Sequence, residues 1–319
     1  PNSTAVTWTN IDSTTSKSVT GKVDSSGTWY LGVKDVVGHV VVVSKVFYKT
    51  TLSISNATVE PSTIITMSGN MFTIPTASPN AYYTFYGWYT SSSYSGSAIT
   101  THKPTKDATI YGKVTENKLT GGSVKINGKS TYGETLTTTL TDTSPKADSY
   151  TYQWYYNSSN SKTGGTAISG ATSSSYTIGS GLVGKYIYVV VTATKNNYRS
   201  TSFGDITDSS NNTTSTIAKR NLTITAKAQT ITYGDSIATG TGQITSSGLA
   251  SGDSVNSVTL TASTTNVTSN GTITPSAATV KSGSTVVTSN YSISYKTGKL
   301  VINKKSATIP TASAYCKSS

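Results

Sequence analysis

Two stretches of strict alternation constrain this chain more than anything else in it. In Ser149–Asn157, SYTYQWYYN, the residues Tyr150, Tyr152, Trp154 and Tyr156 alternate with Ser149, Thr151 and Gln153. In residues 182–194, LVGKYIYVVVTAT, one face carries Tyr186, Tyr188 and Val190, and the other Ile187, Val189 and Val191. Successive side chains of a strand point to opposite faces, so a period of two predicts β-strands. Similar short runs of β-branched and aromatic residues recur along the chain, separated by Gly, Ser and Asn turns, which predicts an all-β protein.

Composition decides whether such strands are folded. A disordered Ser/Thr stalk would be rich in Pro and poor in alternating aromatics. Here only eight Pro stand against 21 Tyr, and Tyr outnumbers Phe by 21 to 4. Tyr gives a strand an apolar body and a tip that can stay wet, which suits thin sheets with little core.

Four groups of residues carry resemblances to known families. Trp154 in mid-strand, the later Gly184-x-Tyr186-x-Tyr188, and the run Ile168–Thr172, Ser175–Thr177 and Leu182–Tyr186 resemble the immunoglobulin-like repeats of exported bacterial proteins. The resemblance implies a two-sheet sandwich over residues 117–219, with Trp154 and Tyr186 in its core. The Cys pair of antibody domains is absent, and Tyr188 stands where the second Cys would be, so packing alone would hold the sheets. Tyr83–Thr90 (YTFYGWYT), followed by Asp107–Lys113 (DATIYGK), resembles the Listeria–Bacteroides, internalin-type B repeat. That implies a β-grasp-like module over 45–116, with Trp88 as its core anchor; Ser55–Pro61 replaces the family's Gly-rich turn.

Tyr233–Gly234–Asp235, Gly252–Asp253, and Asn290–Tyr295 before Gly298–Leu300 together resemble the YGX-type MBG domain. This implies an MBG-type β domain over 220–305, with Tyr291 in its core and no catalytic residue to carry over. Residues 1–44, through Gly27–Tyr30, Val33–Asp35 and a tight turn at Asp35–Gly38, resemble the C-terminal part of an immunoglobulin-like domain. A linker pattern, Ile217-x-Lys219-Arg220-x-x-Thr223-Ile224, recurs as Ile302-x-Lys304-Lys305-x-x-Thr308-Ile309. A repeat of about 85 residues signals an array, so 306–319 reads as the start of a further repeat. The expected architecture is a linear array of small β modules, with strands running almost directly from one into the next and stiff joints.

The net charge of +12 comes almost wholly from singly spaced Lys, with Arg only at 199 and 220. Nucleic-acid faces cluster Arg and Lys on one element, so none is expected. Scattered Lys protects strand edges from aggregation, or attracts an anionic cell-wall polymer or a charged glycan. The lone Cys316 excludes a disulfide within the chain and fits an exported bacterial protein. The apolar run Val40–Val43 is too short to span a bilayer, so no membrane insertion is expected.

No chemistry emerges from the residue types. His39 and His102 have no second His or Cys at metal spacing and read as surface or turn residues. Asp235 and Asp253 sit in turns, where Asp bonds its own backbone. Asn-x-Ser/Thr triplets at Asn56, Asn221 and Asn266 are what this much Ser and Thr gives by chance. No catalytic residue, metal ligand or cofactor is expected.

The sequence therefore predicts a non-catalytic, extracellular stalk or adhesin segment of a bacterial cell-surface protein, an extended spacer between adjacent repeats of one chain. Two alternatives are a module binding a host or neighbouring-cell glycan, glycoprotein or mucin, and a structural subunit of an extracellular filament or phage fibre. Exposed aromatics such as Tyr89, Tyr94 or Tyr155 lining a groove would favour binding; a surface of Thr and Lys with all Trp buried would favour the stalk.

Overall fold

A computed structural model describes residues 23–34, 37–208 and 215–307. These are almost entirely β-strands and turns; the helical elements among the described residues are two single 3-10 turns, Thr241–Gln243 and Thr288–Asn290. The chain divides into two compact units, one of Pro1–Lys118 with Asn197–Arg199 and the other of Leu119–Asn196 with Ser200–Ser319.

The first unit is organised on the 14-residue strand Val40–Ser53. Its first half pairs antiparallel with Gly27–Lys34. Its second half lies between Thr63–Met67, antiparallel, and Ala108–Glu116, parallel. Tyr83–Tyr89 closes the sheet on the far side of Ala108–Glu116. One strand thus runs unbroken across 44/45, where the sequence reading divides two modules. The Val40–Val43 stretch is exposed, while Leu52, Val59, Ile74, Ala77, Trp88 and Ile110 form the core. Trp88 is buried, meets Phe85 edge-on at 5.5 Å, and donates from Nε1 to Pro75 O at 2.8 Å. The chain passes so close to this ring that a Cβ at Gly112 would lie 2.9 Å from it. Residues 1–22 and 35–36 lie outside the described residues, and with them much of the expected terminal domain and half of the Asp35–Gly38 turn.

The second unit begins with a two-sheet sandwich. One sheet orders Thr120–Asn127, Thr135–Ser144 and Ser175–Thr177; the other orders Thr166–Ala167, Ser149–Asn157, Tyr186–Thr194 and Thr201–Ile206. Trp154 lies opposite Val189 in the register. Directly opposed residues share a face, so Ile187, Val189 and Val191 join Trp154 inside, with Val124, Ile126, Leu136 and Ile178 from the facing sheet. Trp154 is fully buried and donates from Nε1 to Ser173 O at 2.9 Å.

The same register corrects the expectation for Tyr186. It falls on the outer face, opposite Asn157, and is only half-buried. Its neighbour Tyr188 is the buried tyrosine of that face. It stacks on Tyr155 at 4.8 Å with the rings 5° from parallel, and its hydroxyl accepts from Gly165 N at 3.3 Å. The turn holding Gly165 folds over this face, which is why a tyrosine there is buried although it points away from the core.

The remaining strands form a second pair of sheets. Arg220–Ala226 lies between Ile244–Ser247, antiparallel, and Tyr291–Lys296, parallel. The larger sheet orders Gln229–Thr232, Gly298–Asn303, Thr268–Ser282 and Asp253–Ala262, the first two parallel. Leu222, Ile224, Ile273, Val280, Leu300 and Ile302 fill the space between them, and Tyr291 is buried among them. The expected further repeat at 306–319, with Cys316, lies outside the described residues from 308 onward.

Candidate functional site

A polar constellation of two phenols, a carboxylate and an ion pair lies where the sandwich meets the next pair of sheets. It starts from the turn Thr131–Glu134, which leads into the strand Thr135–Ser144. Thr131 pairs in parallel with Ala218. Tyr132 N donates to Ala218 O at 3.1 Å, and Ala218 N donates to Ser130 O at 2.8 Å. The segment that enters the next module is therefore hydrogen-bonded to the module before it.

Gly133 follows at φ +77°, and a Cβ there would lie 2.5 Å from the Cβ of Ala250 across the joint. Glycine meets both demands, a left-handed backbone and a close approach. With the backbones this near, the Tyr132 side chain enters the core of the following module. It is 5% exposed, packs in the cluster of Leu222, Ile273 and Leu300, and meets Tyr291 edge-on at 5.5 Å.

Both phenols end on one carboxylate oxygen. Tyr132 Oη donates to Asp253 Oδ2 at 3.0 Å and Tyr291 Oη donates to the same atom at 2.6 Å. Tyr291 Oη also accepts from Ala250 N at 2.9 Å. Burial first, then the hydrogen bond to Asp253, pushes the Tyr132 phenol up to about 12; the same causes raise Tyr291 further. Both phenols stay protonated donors throughout the neutral range. At the rim, Arg220 Nη1 donates to Glu134 Oε1 at 2.8 Å and Arg220 Nε to Gly248 O at 2.9 Å.

Magnitudes rank these contacts. A buried aromatic side chain contributes roughly 1.5–3 kcal/mol, and a hydrogen bond to a charged group about as much. The Arg220 and Glu134 side chains are 24% and 41% exposed, so their pair is worth at most about 1 kcal/mol. The ring and its phenol hold the joint. Beside them lies a cleft of about 310 Å³, lined by Tyr132, Thr177, Ser180, Ser251, Asp253 and Thr285 among others. Asp253 Oδ2 already receives two protons' worth of donation, and no His adjoins it. The arrangement fastens two modules and sets up no nucleophile–base pair.

The expected core residues fall in three separate places: Trp88 in the first unit, Trp154 in the sandwich, and Tyr291 at the joint. Asp253, read as a turn residue bonding its own backbone, instead receives the two phenols. His102, read as a surface residue, lies edge-on to Phe72 at 5.9 Å, and partial burial lowers its pKa. Arg199, the other arginine, pairs with Glu116 in the first unit. Neither the strand alternation nor the family resemblances point to Tyr132, Gly133 or Glu134. A signal for them exists: Thr131–Leu136, TYGETL, is repeated as Thr232–Ile237, TYGDSI. Among the described residues no group of three or more His, Cys, Asp or Glu is placed to hold a metal ion, and no helix is long and apolar enough to cross a membrane.

The module entered by Tyr132 is the one for which comparison is informative. Residues 222–301 match the family model of the MBG domain, YGX type. The match spans the Arg220 strand almost from its start through to the Gly298–Asn303 strand, and includes Tyr233–Gly234, Asp253 and Tyr291. MBG domains are typical of bacterial surface proteins and are not known as enzymes. Among curated proteins no match to the chain was found.

Proposed function

We propose that this chain is a non-catalytic spacer segment of a bacterial cell-surface protein, working outside the cell by holding docked β modules at a set distance. The observation that carries the reading is the joint at Tyr132. A side chain of one module is built into the core of the MBG domain, so the two cannot turn freely about the linker at Ala218. A flexible tether would need none of this. The MBG match supports the surface location. The resemblances of 45–116 to a Listeria–Bacteroides-type repeat and of 117–219 to an immunoglobulin-like module are in keeping with the same reading. The reading needs no cofactor, nucleic acid or membrane insertion, and its partners are adjacent repeats of the chain.

The burial of Trp88 and Trp154 and the stacking of Tyr155 on Tyr188 support a spacer over a glycan-binding groove, whereas Trp29 (38% exposed) and Tyr94 (39% exposed, edge-to-face with Tyr89 at 5.8 Å) are aromatics that a glycan could meet. Small-angle scattering on the monomer tests the proposal. Modules placed end to end span on the order of 130 Å by strand rise, with a radius of gyration of about 37 Å. A value near the roughly 20 Å of a compact chain of this length would overturn the spacer role. So would turnover of a glycan, peptide or ester that disappears when a single acidic residue is changed.

A further inference from the structure

The fastening device at the start of the MBG domain occurs a second time, at its other end, with nothing described in it. Thr232–Ile237 repeats Thr131–Leu136 position by position, identical at Thr, Tyr and Gly and similar at the next three. The backbone repeats with it. Tyr132 N donates to Ala218 O at 3.1 Å; Tyr233 N donates to Asn303 O at 2.8 Å. Thr131 pairs in parallel with Ala218, and Thr232 with Asn303. Glu134 N closes its turn on Thr131 O at 3.0 Å, and Asp235 N closes the same turn on Thr232 O at 2.9 Å. Gly133 and Gly234 both take left-handed backbone, at φ +77° and +98°. Ala218 and Asn303 occupy the same position in the two copies of the linker pattern, one residue after the buried Ile217 and Ile302.

What differs is occupancy. Tyr132 is 5% exposed, whereas Tyr233 is 48% exposed. A Cβ on Gly133 would strike Ala250, whereas one on Gly234 would meet nothing within 4 Å. Arg220 is half-buried against Glu134, while Lys305, its counterpart in the linker, is exposed. An exposed tyrosine alone means little, because much of any protein surface is apolar. A turn that reproduces a working joint in sequence, register and hydrogen bonding, and presents the same ring to solvent, is a different matter.

We propose that Tyr233, Gly234 and Asp235 form a docking surface for a further module of the MBG type, held as residues 220–303 are held by Tyr132, Gly133 and Glu134. The kind of partner follows from what Tyr132 touches. Its ring partner Tyr291, its acceptor Asp253 and the close-approaching Ala250 all belong to the MBG domain, so a socket for Tyr233 needs that fold. Charge agrees: Asp235 stands where Glu134 stands and Lys305 where Arg220 stands, so the rim pair keeps its sign. The sequence after Lys305 agrees as well, since Thr308–Ile309 repeats Thr223–Ile224. The inference stands on joint geometry and holds whether or not the chain serves as a spacer.

The test extends the chain itself. Residues 1–305 are followed directly by a second copy of residues 221–303, so that Lys305 precedes the copy as Arg220 precedes the original, and the copy carries Tyr233→Phe so that the Tyr233 peptide comes from the original module alone. Tyrosine nitration by tetranitromethane, read site by site by peptide mass spectrometry, reports burial. Expected is a fall in the Tyr233 nitration rate of at least about tenfold relative to the unextended chain, since a docked ring reacts only when the joint opens. Tyr132 stays protected and Tyr30 stays reactive in both chains. Asp253→Ala placed in the appended copy alone should return much of the Tyr233 reactivity. Equal Tyr233 rates in the two chains overturn the proposal. An appended copy that fails to fold while residues 220–303 remain folded counts equally against it, because the surface would then not hold the module it is said to fit. Scattering that contradicts the spacer role would leave this result untouched.

Discussion

The rings of Tyr132 and Tyr291, from two successive modules, meet edge-on at 5.5 Å with 80° between their planes. Their sequence positions are far apart and their hydroxyls converge on Asp253, so this contact couples the folding of the MBG domain to the module before it.

Removing the shared acceptor should therefore be costly. Asp253→Ala leaves two buried phenols without their carboxylate, and an unsatisfied buried donor costs about 1–3 kcal/mol. Urea unfolding of the full chain should show the transition of residues 220–303 destabilised by about 2–4 kcal/mol. A change below about 0.5 kcal/mol would mean the phenols find other partners.

Gly133→Ala carries two penalties, and a control separates them. Gly164 sits at φ +74° with nothing within 4 Å, against φ +77° and a 2.5 Å clash at Gly133. Gly164→Ala should cost about 1 kcal/mol for backbone strain alone. Gly133→Ala should exceed it by a further 1–3 kcal/mol or so, the range for overpacking, in thermal unfolding of the full chain.

In the sandwich, Trp154→Ala should cost about 3–5 kcal/mol, the range for a fully buried large aromatic. Tyr186→Ala, on the outer face and half-buried, should cost under about 1.5 kcal/mol. The reverse ranking in equilibrium unfolding would mean that the Trp154–Val189 register is wrong.

Alkaline pH should loosen the joint. Tyr132 is raised to about 12 in the fold from an ordinary value near 10. The folded state favours the protonated phenol, so this stabilisation is fully present below pH 10 and is lost as pH rises from 10 through 12. Unfolding measured between pH 9 and pH 12 (about the span of the two values) should steepen in its pH dependence above 10. Tyr132→Phe should remove part of that steepening. Parallel curves for the two proteins would exclude a shifted Tyr132.

What the sequence determined by itself was local. Period-two alternation marks Ser149–Asn157 as a strand with the same bounds that it has in the fold, and puts Tyr186 and Tyr188 on one face of their own strand with Ile187, Val189 and Val191 on the other, because side-chain direction in a strand depends only on the strand's own backbone. Trp88 and Trp154 could be placed in cores because large aromatics dominate burial in thin modules. What alternation cannot say is which face is covered and by what. Register decided that Val189 and not Tyr186 lies opposite Trp154, and a folded-over turn at Gly165 decided that outward-facing Tyr188 is buried. The joint is further still from local reach. Tyr132 and Tyr233 sit in nearly identical sequences and identical turns, yet one is buried and the other exposed. Tyr132 is buried by Ala250, Asp253 and Tyr291, residues more than a hundred positions away that only the tertiary structure brings against its turn.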